Sequence, residues 1–162
     1  MSSGLCLISK KIGIDRVLNA FAAYRRTKNA TIVIDFGTAI TIDIVSRKGE
    51  FLGGLILPGI RASAYALNKQ TALLPEVDIK KPKDVIGKNV ENAIKAGIYF
   101  GTTGSIIHII RKIRKVYKDL QYTIATGGDA KTFKKDISEI DKVVPRLTLE
   151  GIRIAFTESI NP

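Results

Sequence analysis

The stretch Thr31-Ile32-Val33-Ile34-Asp35-Phe36-Gly37-Thr38-Ala39-Ile40-Thr41-Ile42-Asp43-Ile44-Val45 decides how this chain folds. β-Branched residues run on both sides of a tight Asp-Phe-Gly-Thr corner, which predicts a hairpin whose turn presents one carboxylate, one glycine backbone and one hydroxyl. Those three groups suit a phosphate. Glycine lets a phosphoryl group approach the main chain, a threonine hydroxyl and backbone N–H groups donate to it, and an aspartate binds an accompanying metal or orients a nucleophile.

Before the hairpin, residues 14–26 place Val17, Leu18, Phe21 and Ala22 at helical spacing, with Asp15 as an acid in the first turn. After it, residues 50–57 form a third strand joined through Arg47-Lys48-Gly49, so 31–35, 39–46 and 50–57 read as an antiparallel meander. Pro58-Gly59 ends the meander, and residues 60–69 return to helical spacing. Residues 71–84, with Pro75 and Pro82, read as a loop, and 90–117 as a long helix. The apolar face of that helix includes Ile94, Gly97, Ile98, Gly101, Ile106 and Ile110, and its small residues Gly97, Gly101 and Gly104 predict close packing by another element. A strand at 121–125 leads into Thr126-Gly127-Gly128-Asp129-Ala130, followed by a short helix at 130–136, an extended stretch at 143–147 and a last helix at 149–159 capped by Thr148. The fold class is α/β, with a mixed sheet built on the meander and continued by helix crossovers.

Composition narrows the function classes. A chain of 162 residues, 45% hydrophobic, buries a core without disulfides or structural metal, and Cys6, its one cysteine, offers neither a disulfide framework nor a thiolate cluster. The charges at the start follow a short apolar patch, the reverse of a secretory signal, and residues 96–113 are interrupted by glycines, His108, Arg111 and Lys112. The expectation is a soluble cytoplasmic protein with no membrane span. A net charge of +11 invites nucleic acid, but the cations are spread along the whole chain. The one dense run, at 111–118, reads as the solvated end of a helix, and acidic phosphorylated ligands are the better match.

Three constellations combine: Gly13-Ile14-Asp15-Arg16, Asp35-Phe36-Gly37-Thr38-Ala39 and Thr126-Gly127-Gly128-Asp129-Ala130. Asp15 can accept a hydroxyl proton beside Arg16, a cation that orients an acidic substrate; the plainer reading is a helix-terminal acid next to a solvated arginine. Gly127 and Gly128 would let a base and ribose lie against the backbone, or serve only as turn glycines. Of the remaining acids, Asp43, Glu50 and Asp129 could approach the corner, and Asp129 sits beside the Gly127-Gly128 turn, where an exposed turn aspartate is the plainer reading. His108 is expected to pack within its helix, and Cys6 to be inert.

Together with Gly53-Gly54-Leu55-Ile56-Leu57-Pro58-Gly59-Ile60-Arg61-Ala62-Ser63, these segments resemble the type III pantothenate kinases, members of the actin and sugar-kinase superfamily. The likeness runs from Gly13 nearly to the end, through GIDRVLNAFAAY, DFGTAITIDIV, IGKNVENAIKAGIYFG, ATGGDA and LTLEGI. It implies transfer of the γ-phosphoryl of ATP to the primary hydroxyl of pantothenate, towards coenzyme A. Asp15 would be the base, with Gly13, Arg16 and position 90 meeting substrate. Asp35, Gly37 and Thr38 would form the second phosphate motif, and Gly127 and Gly128 the adenosine motif. The resemblance further implies Mg2+, a monovalent cation (K+ or NH4+) with Asp35 as the metal-facing carboxylate, and a homodimer with substrate pockets at its interface.

The sequence departs from the family pattern at three places. A full-length member opens with its own Asp-x-Gly-Asn-Thr motif in an amino-terminal domain; here residues 1–12 are expected to be a remnant of the inter-domain segment and residues 13–162 the carboxy-terminal kinase domain. Phosphoryl transfer would then call on an amino-terminal domain supplied in trans, and a dimerising or substrate-binding remnant is the alternative. Val90 and Ile40 stand where the family usually has threonine, which removes a hydroxyl while keeping the shape.

Overall fold

In the central hairpin, alternation sorts the side chains onto two faces. Ile32, Ile34 and Phe36 lie opposite Ile44, Ile42 and Ile40 and point one way; Val33 and Asp35 lie opposite Asp43 and Thr41 and point the other. The computed structural model describes residues 12–160. Its order is α1 (Ile14–Thr27), β1 (Thr31–Phe36), β2 (Ala39–Val45), β3 (Phe51–Pro58), α2 (Ile60–Gln70), α3 (Val90–Val116), β4 (Tyr122–Thr126), α4 (Ala130–Lys134), β5 (Lys142–Val143) and α5 (Leu147–Ile160).

The five strands form one sheet in the order β3-β2-β1-β4-β5. β1, β2 and β3 are the antiparallel meander, whereas β4 runs parallel to β1 and β5 parallel to β4. The parallel pairs exist because α3 and α4 carry the chain back across the sheet. One face is covered by α2 and α3: Ile32, Ile34, Phe36, Ile42, Ile106 and Ile110 make the larger core. The other is covered by α1 and α5, where Ala20, Ala22, Ala23, Val33, Val45 and Leu147 pack closely. Alanines on α1 and Gly151 on α5 bring those helices together; a Cβ at Gly151 would strike the Leu18 carbonyl.

Three sequence expectations are corrected. Gly97, Gly101 and Gly104 face open space, and the core side of α3 is instead Ile94, Ala96, Tyr99, Thr103, Ile106 and Ile110. The side chains on that side are long enough to reach the sheet, so the large residues face inward. His108 is likewise exposed rather than packed. The last helix begins at Leu147, which puts Thr148 inside its first turn, where the hydroxyl donates to Asn19 instead of capping. α3 is long and apolar enough by length and composition to cross a membrane, yet its inner side forms part of the domain core. Cys6 lies outside the described residues.

Aromatic rings fasten α4 to the hairpin. Phe36 stacks on Phe133 at 5.1 Å and Phe133 on Tyr99 at 5.0 Å, and the Tyr99 hydroxyl donates to Asp136 at 2.6 Å. Asp136 also accepts from Lys81 at 2.6 Å, tying in the loop before α3. The hydrogen bonds from Lys81 and Tyr99 hold the Asp136 carboxyl below its ordinary value, while burial pushes the Tyr99 phenol up. A lowered carboxyl favours the folded state above its unfolded pKa, and that contribution fades as pH falls through the folded value. Asp136→Asn is therefore expected to cost about 1–2 kcal/mol at pH 7. Denaturant melts should show the gap between variant and wild type closing below the ordinary carboxyl pKa of 3.8.

Candidate active site

The polar face of the hairpin converges at the carboxyl end of β1. Asp35 lies between Thr41 on β2 and Thr126 on β4, its cross-strand neighbours on the same side of the sheet. The β1–β2 turn closes through the Gly37 N–H donating to the Ala39 carbonyl at 3.2 Å, leaving Gly37 and Thr38 exposed. Gly59, where β3 passes into α2, donates to the Thr38 carbonyl at 3.1 Å, and a Cβ there would run into the Thr38 and Gly37 carbonyls. The β4–α4 turn arrives from the other side. Gly127 has φ +91°, and a Cβ on it would meet Asp35 Oδ1 and the Phe36 carbonyl at 2.5 Å. Gly128 meets nothing within 4 Å, so of the two glycines only Gly127 is required by the backbone and by the approach to Asp35.

Asp35 is oriented by a relay that crosses three elements. Its Oδ2 accepts from Asn19 Nδ2 on α1 at 2.8 Å, and Asn19 Oδ1 accepts from the Thr148 hydroxyl on α5 at 2.8 Å. Asn19 is 1% exposed, so its amide has no water to fall back on. With Oδ2 held from behind, Oδ1 is left on the side of Gly37 and Gly127. Burial raises the Asp35 carboxyl above its ordinary value, against the Asn19 hydrogen bond, and nearby Asp15 raises it further.

A second acid stands on the same face. Asp43, 1% exposed, accepts from Arg16 Nε at 2.9 Å and Nη2 at 2.5 Å, both on Oδ1. Its Oδ2 makes no hydrogen bond of full geometry among the described residues, the Thr41 hydroxyl on the same face being the neighbouring donor that helps lower this carboxyl. Burial raises this carboxyl, Arg16 pulls it down, and Asp15 adds repulsion. Asp15 itself is exposed in the first turn of α1, just after the N-cap Gly13.

The structure therefore brings Asp35, Gly37, Thr38 and Gly127 to one end of the sheet, with Gly128 beside them and Asp15 near enough to repel Asp35; Arg16 lies farther along the hairpin, against Asp43 and Phe51. Val90 is not among them. It begins α3, half exposed, and lines a separate apolar cavity of about 480 Å3 with Leu67, Leu74, Ala93, Ile94 and others. Glu50 sits at the opposite end of the hairpin, hydrogen bonded to Ser46. Asp129 lines a cavity of about 510 Å3 beside the glycine turn, together with Ile60, Arg61, Lys80, Lys81 and Thr132. Asn19 and Thr148 escape sequence reasoning as site residues, whereas Asp43 is among the acids expected to approach the corner; the one available signal for the pair is an asparagine amid the alanines of an otherwise apolar helix face.

Among the described residues no cluster of three His, Cys, Asp or Glu side chains could enclose a metal ion. The Asp35 Oδ1 oxygen, beside Gly37 and Gly127, fits Mg2+ in its usual form, bound by one or two carboxylates, water and the phosphates of its nucleotide. Asn19→Ala should leave Asp35 Oδ2 without its partner and cost about 1–3 kcal/mol in a denaturant melt. Thr148→Val should cost less, because the Asn19 to Asp35 bond remains.

Comparison with known proteins places this geometry. A model of the family "Type III pantothenate kinase" matches residues 7–112. The type III pantothenate kinase of Geobacter sulfurreducens is 42% identical over 147 residues, 91% of this chain and 58% of that protein. That of Syntrophotalea carbinolica is 40% identical over the same shares. The chain thus spans a little over half the length of the curated relatives it matches. Among solved structures, a Campylobacter jejuni protein described as a Baf family transcriptional activator superposes with TM-score 0.65 at 25% identity, covering 96% of this chain and 69% of that one. An archaeal actin homolog superposes with TM-score 0.55 at 16% identity, over 88% of this chain and 54% of its own, which shows the shared actin-like fold. With a family model matching residues 7–112 and a relative 42% identical over 91% of the chain's length, the chain belongs to the type III pantothenate kinase family.

Proposed function

We propose that residues 13–162 are the substrate-side domain of an ATP-dependent pantothenate kinase, acting in the cytoplasm in coenzyme A biosynthesis. The observation that carries this reading is the Asp35 carboxylate, held on one oxygen by Asn19 and open on the other towards Gly37 and Gly127. Phosphoryl transfer depends on positioning and charge neutralisation, and a carboxylate fixed against two close-approach glycines serves both. Asp15 takes the proton from the primary hydroxyl of pantothenate, being exposed and next to this corner. Gly13 and Arg16 hold the substrate. Thr38 donates to the phosphates, Gly37 lets them approach the main chain, and Gly127 and Gly128 border the nucleotide, whose base would occupy the cavity lined by Arg61, Asp129 and Thr132. Mg2+ at Asp35 would neutralise phosphate charge, and a monovalent cation would assist at the same face.

The share of the relatives' length that this chain spans favours a second reading, in which turnover waits on a further domain supplied in trans or in the same polypeptide. A half of the site that binds substrate and dimerises without turning it over would be its inactive form. The exposed apolar residues Leu55, Ile56, Tyr65 and Leu67 on β3 and α2 suit a homodimer.

The test is phosphopantothenate formation from ATP, Mg2+, K+ and pantothenate, with the chain alone and with the separately expressed amino-terminal part of a relative. Transfer in the supplemented reaction, falling about 100-fold or more in Asp15→Asn, is the expected result. Calorimetry in parallel should register pantothenate binding by the chain alone. Neither turnover nor binding under any condition removes the proposal.

A further inference from the structure

The reading above assigns Arg16 to the acidic substrate, and the inference made here rests on that assignment. A guanidinium on a helix's first turn is ordinarily a mobile, hydrated cation, poorly suited to choosing one ligand geometry. Arg16 is not free in this way. Its Nε and Nη2 both donate to Asp43 Oδ1, and its guanidinium lies over the Phe51 ring at 5.6 Å. The side chain is only 14% exposed and the Asp43 carboxylate 1%. Gly54, directly across the strand pair from Asp43, is bare for the same purpose. A Cβ there would overlap Asp43 Oδ1 and the Ile42 carbonyl, and would reach Arg16 Nη2 at 2.9 Å.

This arrangement is costly as a way to hold the fold together. A carboxylate is buried with no full-geometry hydrogen bond to Oδ2 among the described residues, Asp15 repels it, and a strand position is given up to glycine. What it achieves is orientation. Of the five N–H donors of a guanidinium, two are spent on Asp43, and the three that remain, both on Nη1 and one on Nη2, are fixed in direction. We propose that Asp43 is a positioning residue that, with Phe51 and the space left by Gly54, aims Arg16 so that its free edge selects a substrate bearing a carboxylate.

The experiment is calorimetric titration of the full chain with pantothenate and with its neutral primary amide, for wild type, Asp43→Asn, Phe51→Leu and Arg16→Gln. Each protein is first checked by a thermal melt. Wild type should prefer the acid. Asp43→Asn, which keeps shape and removes charge, should erode that preference about 10-fold, the loss falling mainly on the acid. Phe51→Leu, which leaves the buried carboxylate untouched, should erode it several-fold and keeps the proposal testable if Asp43→Asn fails to fold. Preference lost in Arg16→Gln but intact in the Asp43 or Phe51 variants overturns the inference and spares the assignment of Arg16. Preference intact in Arg16→Gln, or no binding of either ligand by wild type, overturns both.

Discussion

The hydrogen bond from Asn19 to Asp35 is the constraint on which the candidate site depends. A half-buried aspartate at the end of the central strand is held in one orientation because a donor on a neighbouring helix fixes one of its oxygens. Asn19 supplies one donor from α1, and Thr148 on α5 fixes the direction of the Asn19 amide. The two helices that close the polar face of the sheet thus also set the geometry of its carboxylate. Close packing of α1 on α5 through alanines and Gly151 is what keeps the relay at hydrogen-bond distance.

The same face carries two aspartates, Asp35 half-buried and Asp43 buried, with different partners. Asp35 is held by a neutral amide and keeps an oxygen for a ligand; Asp43 is held by a guanidinium and uses its charge to hold Arg16 in turn. Asp15 lies near enough to raise both. Asp15 repels both of the other carboxylates on this face, and Arg16 offsets that at Asp43 only. Such an arrangement costs stability and makes sense where a cation or a proton is to be handled.

Much of the fold was legible in the sequence because it is written in local patterns. The β-branched runs around Asp35-Phe36-Gly37-Thr38 set the hairpin, turn residues set its neighbours, and the Gly127-Gly128 dipeptide marked the second turn. The relay was not legible, since Asn19 and Thr148 are 129 positions apart and meet only once α5 returns to α1. Asp43 was legible as an acid near the corner, but its pairing with Arg16, 27 positions away, was not. On α3 local pattern misled: glycine spacing suggested a tight interface, whereas the larger Tyr99, Ile106 and Ile110 reach the sheet and the glycines face outward. Val90 was chosen by motif alone, and within this chain it belongs to a different cavity.

A crystal structure of the chain with pantothenate and a magnesium complex of a non-hydrolysable ATP analogue tests the central claim most directly. The account predicts the primary hydroxyl of pantothenate at about 3 Å from an Asp15 carboxylate oxygen, and a phosphate seated on Gly37 and Thr38 beside Asp35. Ligands bound elsewhere, with Asp15 and Asp35 touching neither hydroxyl nor phosphate, would contradict it.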